Sequence, residues 1–103
     1  MNTEVYKLGA TLDSSNSNKE QELILEIFNR GKSVILDMTD CTYVSSAGLR
    51  VMLYSYKVAG SKGLKVYLVG VCDEVKDVMG MTGFEKFFDF FGTVEDCQKA
   101  VES

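Results

Sequence analysis

Two adjacent serines, Ser45 and Ser46, are the residues of this chain best placed to carry chemistry. They stand between an apolar run, SVILDM at 33–38, and an apolar helical pattern that starts at Ala47. A serine at a helix start can cap the free N–H groups of the first turn, and those N–H groups, with the helix dipole, also receive a phosphate. Capping and phosphorylation are therefore the two readings of the pair. Nucleophilic catalysis fares worse, because the chain has no His, no Lys lies near the serines in sequence, and SxxK is absent. A capping box would put Glu or Gln three residues after the cap, where Gly48 and Leu49 stand instead. Gly48 is poor for helix propensity but leaves the backbone open to close approach by another chain or a ligand.

Three further groups have the right atoms for a site. Asp13, Asp37 and Asp40 fall at predicted strand ends, where carboxylates hold a cation or, more commonly, serve turns and caps. Arg50, Tyr54, Lys57 and Ser61 share one helical stripe, which reads as a solvated face or, through its Tyr and Arg, as a docking surface. Cys41, Cys72 and Cys97 are odd in number and lack CxxC spacing, so they read as small buried hydrophobes rather than as a disulfide framework, zinc ligands or reactive thiols. GMTG and GSKG match neither phosphate-binding loops nor dinucleotide fingerprints and read as turns. No metal and no cofactor is expected, nor an enzyme of the hydrolase or metalloenzyme kind, given the absence of His.

The elements that must position these residues follow from periodicity. Leu8, Ala10 and Leu12 alternate within residues 4–12, as in one half-buried strand ended by Asp13. Ser17 or Asn18 then caps a helix with the stripe Leu23, Ile24, Ile27 and Phe28, closed by Gly31. Ser33 to Met38 reads as a buried strand. From Ala47 the helix places Leu49, Met52, Leu53 and Tyr56 on one face. Gly60 and Gly63 break it before the strand 64–69, LKVYLV. Asp73 opens a short helix with Val75, Val78 and Met79 inward, ended by the glycines at 80 and 83. Phe84, Phe87, Phe88, Phe90 and Phe91 crowd a last strand and core, and Thr93 caps a final helix through Val94, Cys97 and Val101. Alternating strands and helices predict an α/β domain: a mainly parallel four- to five-stranded sheet covered by about four helices, over residues 1–103. Its functional loops follow the strands' C-terminal ends, where Asp13, the segment 37–46 and Cys72-Asp73 lie.

Composition narrows the partners. With 11 basic and 15 acidic residues, a net charge of -4 and no Lys/Arg cluster longer than a dipeptide, neither nucleic acid nor an anionic membrane is expected. No stretch approaches the roughly 20 apolar residues of a membrane span, and MNTEVYKLG is not a signal peptide. A cytoplasmic, reducing location is expected.

The run VSSAGLRVML at 44–53, preceded by SVILDMTDCTYV and followed by LKVYLVGVCDEVKDVMGMTGFEKFF, resembles the STAS domain of bacterial anti-sigma factor antagonists over about 90 residues. SSAGL combined with the later MTGF makes the likeness fairly specific. The resemblance implies a non-catalytic switch: the unphosphorylated protein binds an anti-sigma factor that is itself a serine kinase and frees the sigma factor. Phosphorylation of the serine two places before the motif's Gly, which is Ser46 here, ends binding, and a serine phosphatase restores it. Ser45, at a position where many members have Asp, is the second choice of acceptor. Asp13 matches the Asp that closes the second strand in many members. The expected partner-binding residues are Asp13, Thr42, Tyr43, Ser45, Gly48, Arg50 and Tyr54. The family usually opens with a β-hairpin, whereas few residues precede the first strand here, so a shortened N-terminal strand region is expected. Two other readings stand beside this one: a permanent, unphosphorylated subunit like the small STAS component of bacterial lipid-transport ABC assemblies, and a metal-dependent enzyme using Asp13, Asp37 and Asp40.

Overall fold

The structure, a computed structural model, describes residues 2–102. The elements are β1 (Thr3–Lys7), β2 (Thr11–Leu12), α1 (Ser17–Asn29), β3 (Ser33–Asp37), β4 (Tyr43–Val44), α2 (Ser46–Ser61), β5 (Val66–Val69), α3 (Asp73–Thr82), β6 (Asp89–Phe91) and α4 (Val94–Glu102), with a 3₁₀ turn at Phe84–Phe87. Four strands form one all-parallel sheet in the order β1-β3-β5-β6, and β2 pairs with β4 in a separate parallel pair. This is the expected α/β architecture with four helices.

The apolar run of β3 explains its central place. Val34, Ile35 and Leu36 are all fully buried, as a strand covered on both faces requires. Val34 and Leu36 point into the larger core, where Ile24, Ile27 and Phe28 of α1, Met52 of α2 and Met79 of α3 meet. Ile35 points to the other face, where α4 supplies Cys97 over Val69. Burial pushes the Cys97 thiol up to about 11, with the nearby Asp89 carboxylate adding to the effect. Cys41 is also buried, so both read as the small hydrophobes the sequence suggested.

Several boundaries differ from expectation. Residues 4–12 are two strands, because β3 ends at Asp37 and the ladder runs out with the bond from the Leu8 N–H to the Asp37 carbonyl at 2.9 Å. Ala10 is consequently exposed while Leu8 and Leu12 are buried. β1 and β2 do not pair with each other, so the described residues open without a hairpin. The cap of α1 is Asn16 rather than Ser17 or Asn18; its amide bonds the Thr11 carbonyl instead of the helix. Helix α3 runs past Gly80 to Thr82 before Gly83, at φ 78°, ends it. Of the Phe-rich segment only Asp89–Phe91 is strand, and Phe87 is 44% exposed rather than core.

Candidate functional site

The pair β2-β4 builds the site. Leu12 lies opposite Val44, and the bonds Thr42 N–H to Ala10 carbonyl (2.9 Å) and Ser45 N–H to Leu12 carbonyl (3.0 Å) extend the pairing at both ends. These bonds fix the backbone immediately before α2. The preceding loop is held by the Asp37 carboxylate, which accepts from the Thr39 N–H at 3.0 Å and from its hydroxyl. Thr39 in turn lies against Gly70, where a Cβ would come within 2.6 Å of the Thr39 hydroxyl oxygen. Gly70 also has φ +67°, so both its conformation and its contact select glycine. Sequence reasoning missed Gly70; its signal was a glycine directly after the LKVYLV strand.

The two serines have different jobs. Ser45 is the N-cap, in extended conformation, and its hydroxyl accepts from the Gly48 N–H at 3.3 Å. Its carbonyl accepts the Leu49 N–H at 2.8 Å. Ser46 is the first helical residue, is exposed, and its hydroxyl makes no hydrogen bond among the described residues. No acidic side chain occupies the first turn of α2, so the positive end of the helix dipole is not neutralised there.

Gly48 is buried, contrary to the expectation that it meets a partner. A Cβ at this position would lie 2.3 Å from the Leu12 carbonyl oxygen and 2.9 Å from a Val44 methyl. The chain that approaches this backbone closely is its own β2, so Gly48 sets how tightly α2 seats on the strand pair. The remaining expected partner residues lie on or beside β2, β4 and α2. Thr42 is exposed and Tyr43 is 55% exposed in the segment leading to the serines. Asp13 follows Leu12 on the strand paired with β4; its carboxylate accepts from the Ser15 hydroxyl and N–H, which holds it below the usual carboxylate range. Arg50 lies one turn beyond Ser46, exposed and outside every ion pair among the described residues. Tyr54, 47% exposed, follows one turn later, and together with Gln21 of α1, Leu53 and Lys57 these residues line a shallow cleft of about 300 Å³.

The apolar face of α2 is rotated from the expected one. Gly48, Leu49, Val51, Met52, Ser55 and Ala59 are buried, while Leu53 is only half-buried and Tyr56 is 38% exposed. The helix packs on α1, β4 and β5 at once. Ser55 is accommodated because its hydroxyl donates to the Val51 carbonyl at 2.7 Å.

The three carboxylates do not converge. Asp13 and Asp37 serve their own turns, and Asp40 pairs with Lys7 at 3.2 Å. Among the described residues no group of three His, Cys, Asp or Glu side chains is arranged to hold a metal. No helix among them is long and apolar enough to cross a membrane.

Comparison with known proteins agrees with this architecture. The chain is similar to a putative anti-sigma factor antagonist from Thermotoga maritima at 19% identity and a TM-score of 0.88, covering 99% of this chain and 89% of that one. It is similar to the Bacillus protein SpoIIAA in its phosphorylated form at 17% identity and a TM-score of 0.75, covering 97% of this chain and 91% of that one. It also matches the murine Solute Carrier 26 family member A9 anion transporter at 19% identity and a TM-score of 0.80, over 92% of this chain but 17% of the transporter. At these identities the likeness speaks to fold. The model of the STAS domain matches residues 2–97, and the chain belongs to the STAS domain family.

Proposed function

We propose that this chain is an anti-sigma factor antagonist, acting by binding rather than catalysis, and switched off by phosphorylation of Ser46. Its partner in the unphosphorylated state is an anti-sigma factor serine kinase, and a serine phosphatase resets it; a bacterial cytoplasm is the setting this reading requires. One observation carries the choice of residue. Ser46 is exposed at the first position of α2 and its hydroxyl makes no hydrogen bond among the described residues, whereas the Ser45 hydroxyl is engaged in the cap. The fold-level similarity to SpoIIAA, solved in unphosphorylated and phosphorylated forms, supports a fold that tolerates a phosphate.

The physics of the switch is local. A phosphate brings about -1.5 to -2 charges at neutral pH, and the helix N-terminus stabilises it within the domain. A partner packed over Thr42, Tyr43 and Arg50 would have to desolvate that charge. The penalty is several kcal/mol, and each ~1.4 kcal/mol lowers affinity about tenfold. The fold need not change for binding to be lost.

The test is incubation with ATP and a candidate anti-sigma factor serine kinase, followed by intact-mass spectrometry, site mapping and pull-down of both forms. One phosphate on Ser46, absent from Ser46→Ala and still present on Ser45→Ala, with loss of binding, is the expected result. Equal phosphorylation of the Ser46→Ala protein would refute the assignment. Stable binding without phosphate transfer would instead support a permanent subunit.

A further inference from the structure

The end of the domain opposite Ser46, where α2 finishes and β5 and β6 begin, holds a cleft of about 440 Å³ that the switch does not use. Its volume lies in the roughly 300–1,000 Å³ range of small-molecule sites. Tyr56 and Phe87 contribute adjacent rings, with centroids 5.2 Å apart and planes inclined by 32°, and both stay substantially exposed at 38% and 44%. Exposed neighbouring aromatics present unburied apolar area and a π-face for a third ring. Leu64 and Val66 add apolar lining.

The charge of the lining selects the ligand. Lys57 and Lys65 both line the cleft and are exposed, and neither is in an ion pair among the described residues. Asp89 is the one carboxylate of the lining, so the cleft is locally positive in a chain of net charge -4. An unpaired ammonium beside apolar surface attracts an anion more strongly than one in open water does. Gly60 lines the same space, and a Cβ there would meet nothing within 4 Å.

We propose that this cleft binds a small aromatic carboxylate, its ring against Tyr56 and Phe87 and its carboxylate held by Lys57 and Lys65. The α2 residues of the site, Tyr56, Lys57 and Gly60, lie 10 to 14 residues beyond Ser46, roughly 15–21 Å along the helix at 1.5 Å per residue, and the proposal does not depend on the phosphorylation reading.

The test uses the whole chain and 1-naphthoate as probe, followed by amide chemical shifts, with 1-naphthalenemethanol as the uncharged control. Saturable shifts confined to the amides of residues 56–66 and 87–89 are expected. The Lys57→Gln/Lys65→Gln protein should bind at least about tenfold more weakly, a loss of ~1.4 kcal/mol, and the alcohol should be weaker than the acid by a similar factor. Gly60→Val, whose added Cβ meets nothing within 4 Å, should also weaken binding while its spectrum stays dispersed. Shifts that fail to saturate or spread over the surface would overturn the proposal. Equal affinity for the alcohol, or for the double variant, would overturn it too.

Discussion

Replacing Gly48 by Ala tests whether the seat of α2 on β2 is as tight as the structure makes it. The new methyl would start 2.3 Å from the Leu12 carbonyl oxygen, so α2 and β2 must part by about 1 Å to reach ordinary contact. That same oxygen accepts the Ser45 N–H at 3.0 Å. Moving it by ~1 Å takes the bond beyond the usual 3.2 Å limit, a net loss of about 1 kcal/mol. Overpacking against Val44 adds about 1–3 kcal/mol, and the helix propensity gained over Gly returns about 1 kcal/mol. The net is a destabilisation of about 1–3 kcal/mol, or roughly 5–20 °C in Tm for a domain of this size. Gly60→Ala is the matched control: it lies in the same helix, nothing stands within 4 Å of the added Cβ, and its Tm should hold or rise by a few degrees. Thermal melts followed by circular dichroism measure both. A Gly48→Ala protein that melts at or above the parent would show that Leu12 and Val44 yield freely, and the close-approach argument would fail.

Three further outcomes follow from the site and the core. Ser45→Ala removes the cap bond to the Gly48 N–H and should cost about 1 kcal/mol in a denaturant melt, whereas Ser46→Ala, which loses no bond, should stay within about 0.5 kcal/mol of the parent. In alkaline solution, the raised Cys97 thiol favours the protonated form in the folded state; that stability is complete below its ordinary value of 9.0 and is lost as pH rises through about 11. Tyr67, raised by burial and then by Asp89 and Cys97, works in the same direction. Tm measured from pH 8 to 11 should therefore fall, and less steeply for Cys97→Ala whatever its starting stability. Finally, a phosphate on Ser46 would stand four residues before Arg50, the favourable order for an i,i+4 pair worth about 0.3–0.5 kcal/mol. Arg50→Ala should lower the Tm of the phosphorylated protein by a few degrees in low salt and leave the unphosphorylated protein unchanged, with the difference erased in high salt.

Periodicity alone placed the helices and the two inner strands. The Val34-Ile35-Leu36 run, the stripe Ile24, Ile27 and Phe28, and Gly31 after α1 each report on a local choice, because a buried strand or one helix face needs only neighbouring residues to declare itself. The start of α2 at Ser45-Ser46 was equally legible, since capping is a contact within one turn. What a window of sequence cannot contain is a partner thirty residues away. The two-residue strand Tyr43–Val44 exists only because Thr11–Leu12 reaches it, and the break after Leu8 exists only because β3 ends opposite. The same pairing decides the use of the two serines: the bond from the Ser45 N–H to Leu12 fixes the cap, which engages the Ser45 hydroxyl and leaves that of Ser46 free. Sequence determined that a glycine follows the serines, and tertiary structure decided that it faces β2. Packing of α2 buries Gly48, Ser55 and Ala59 beside Leu49 and Met52, small residues that a stripe read from hydrophobicity alone passes over.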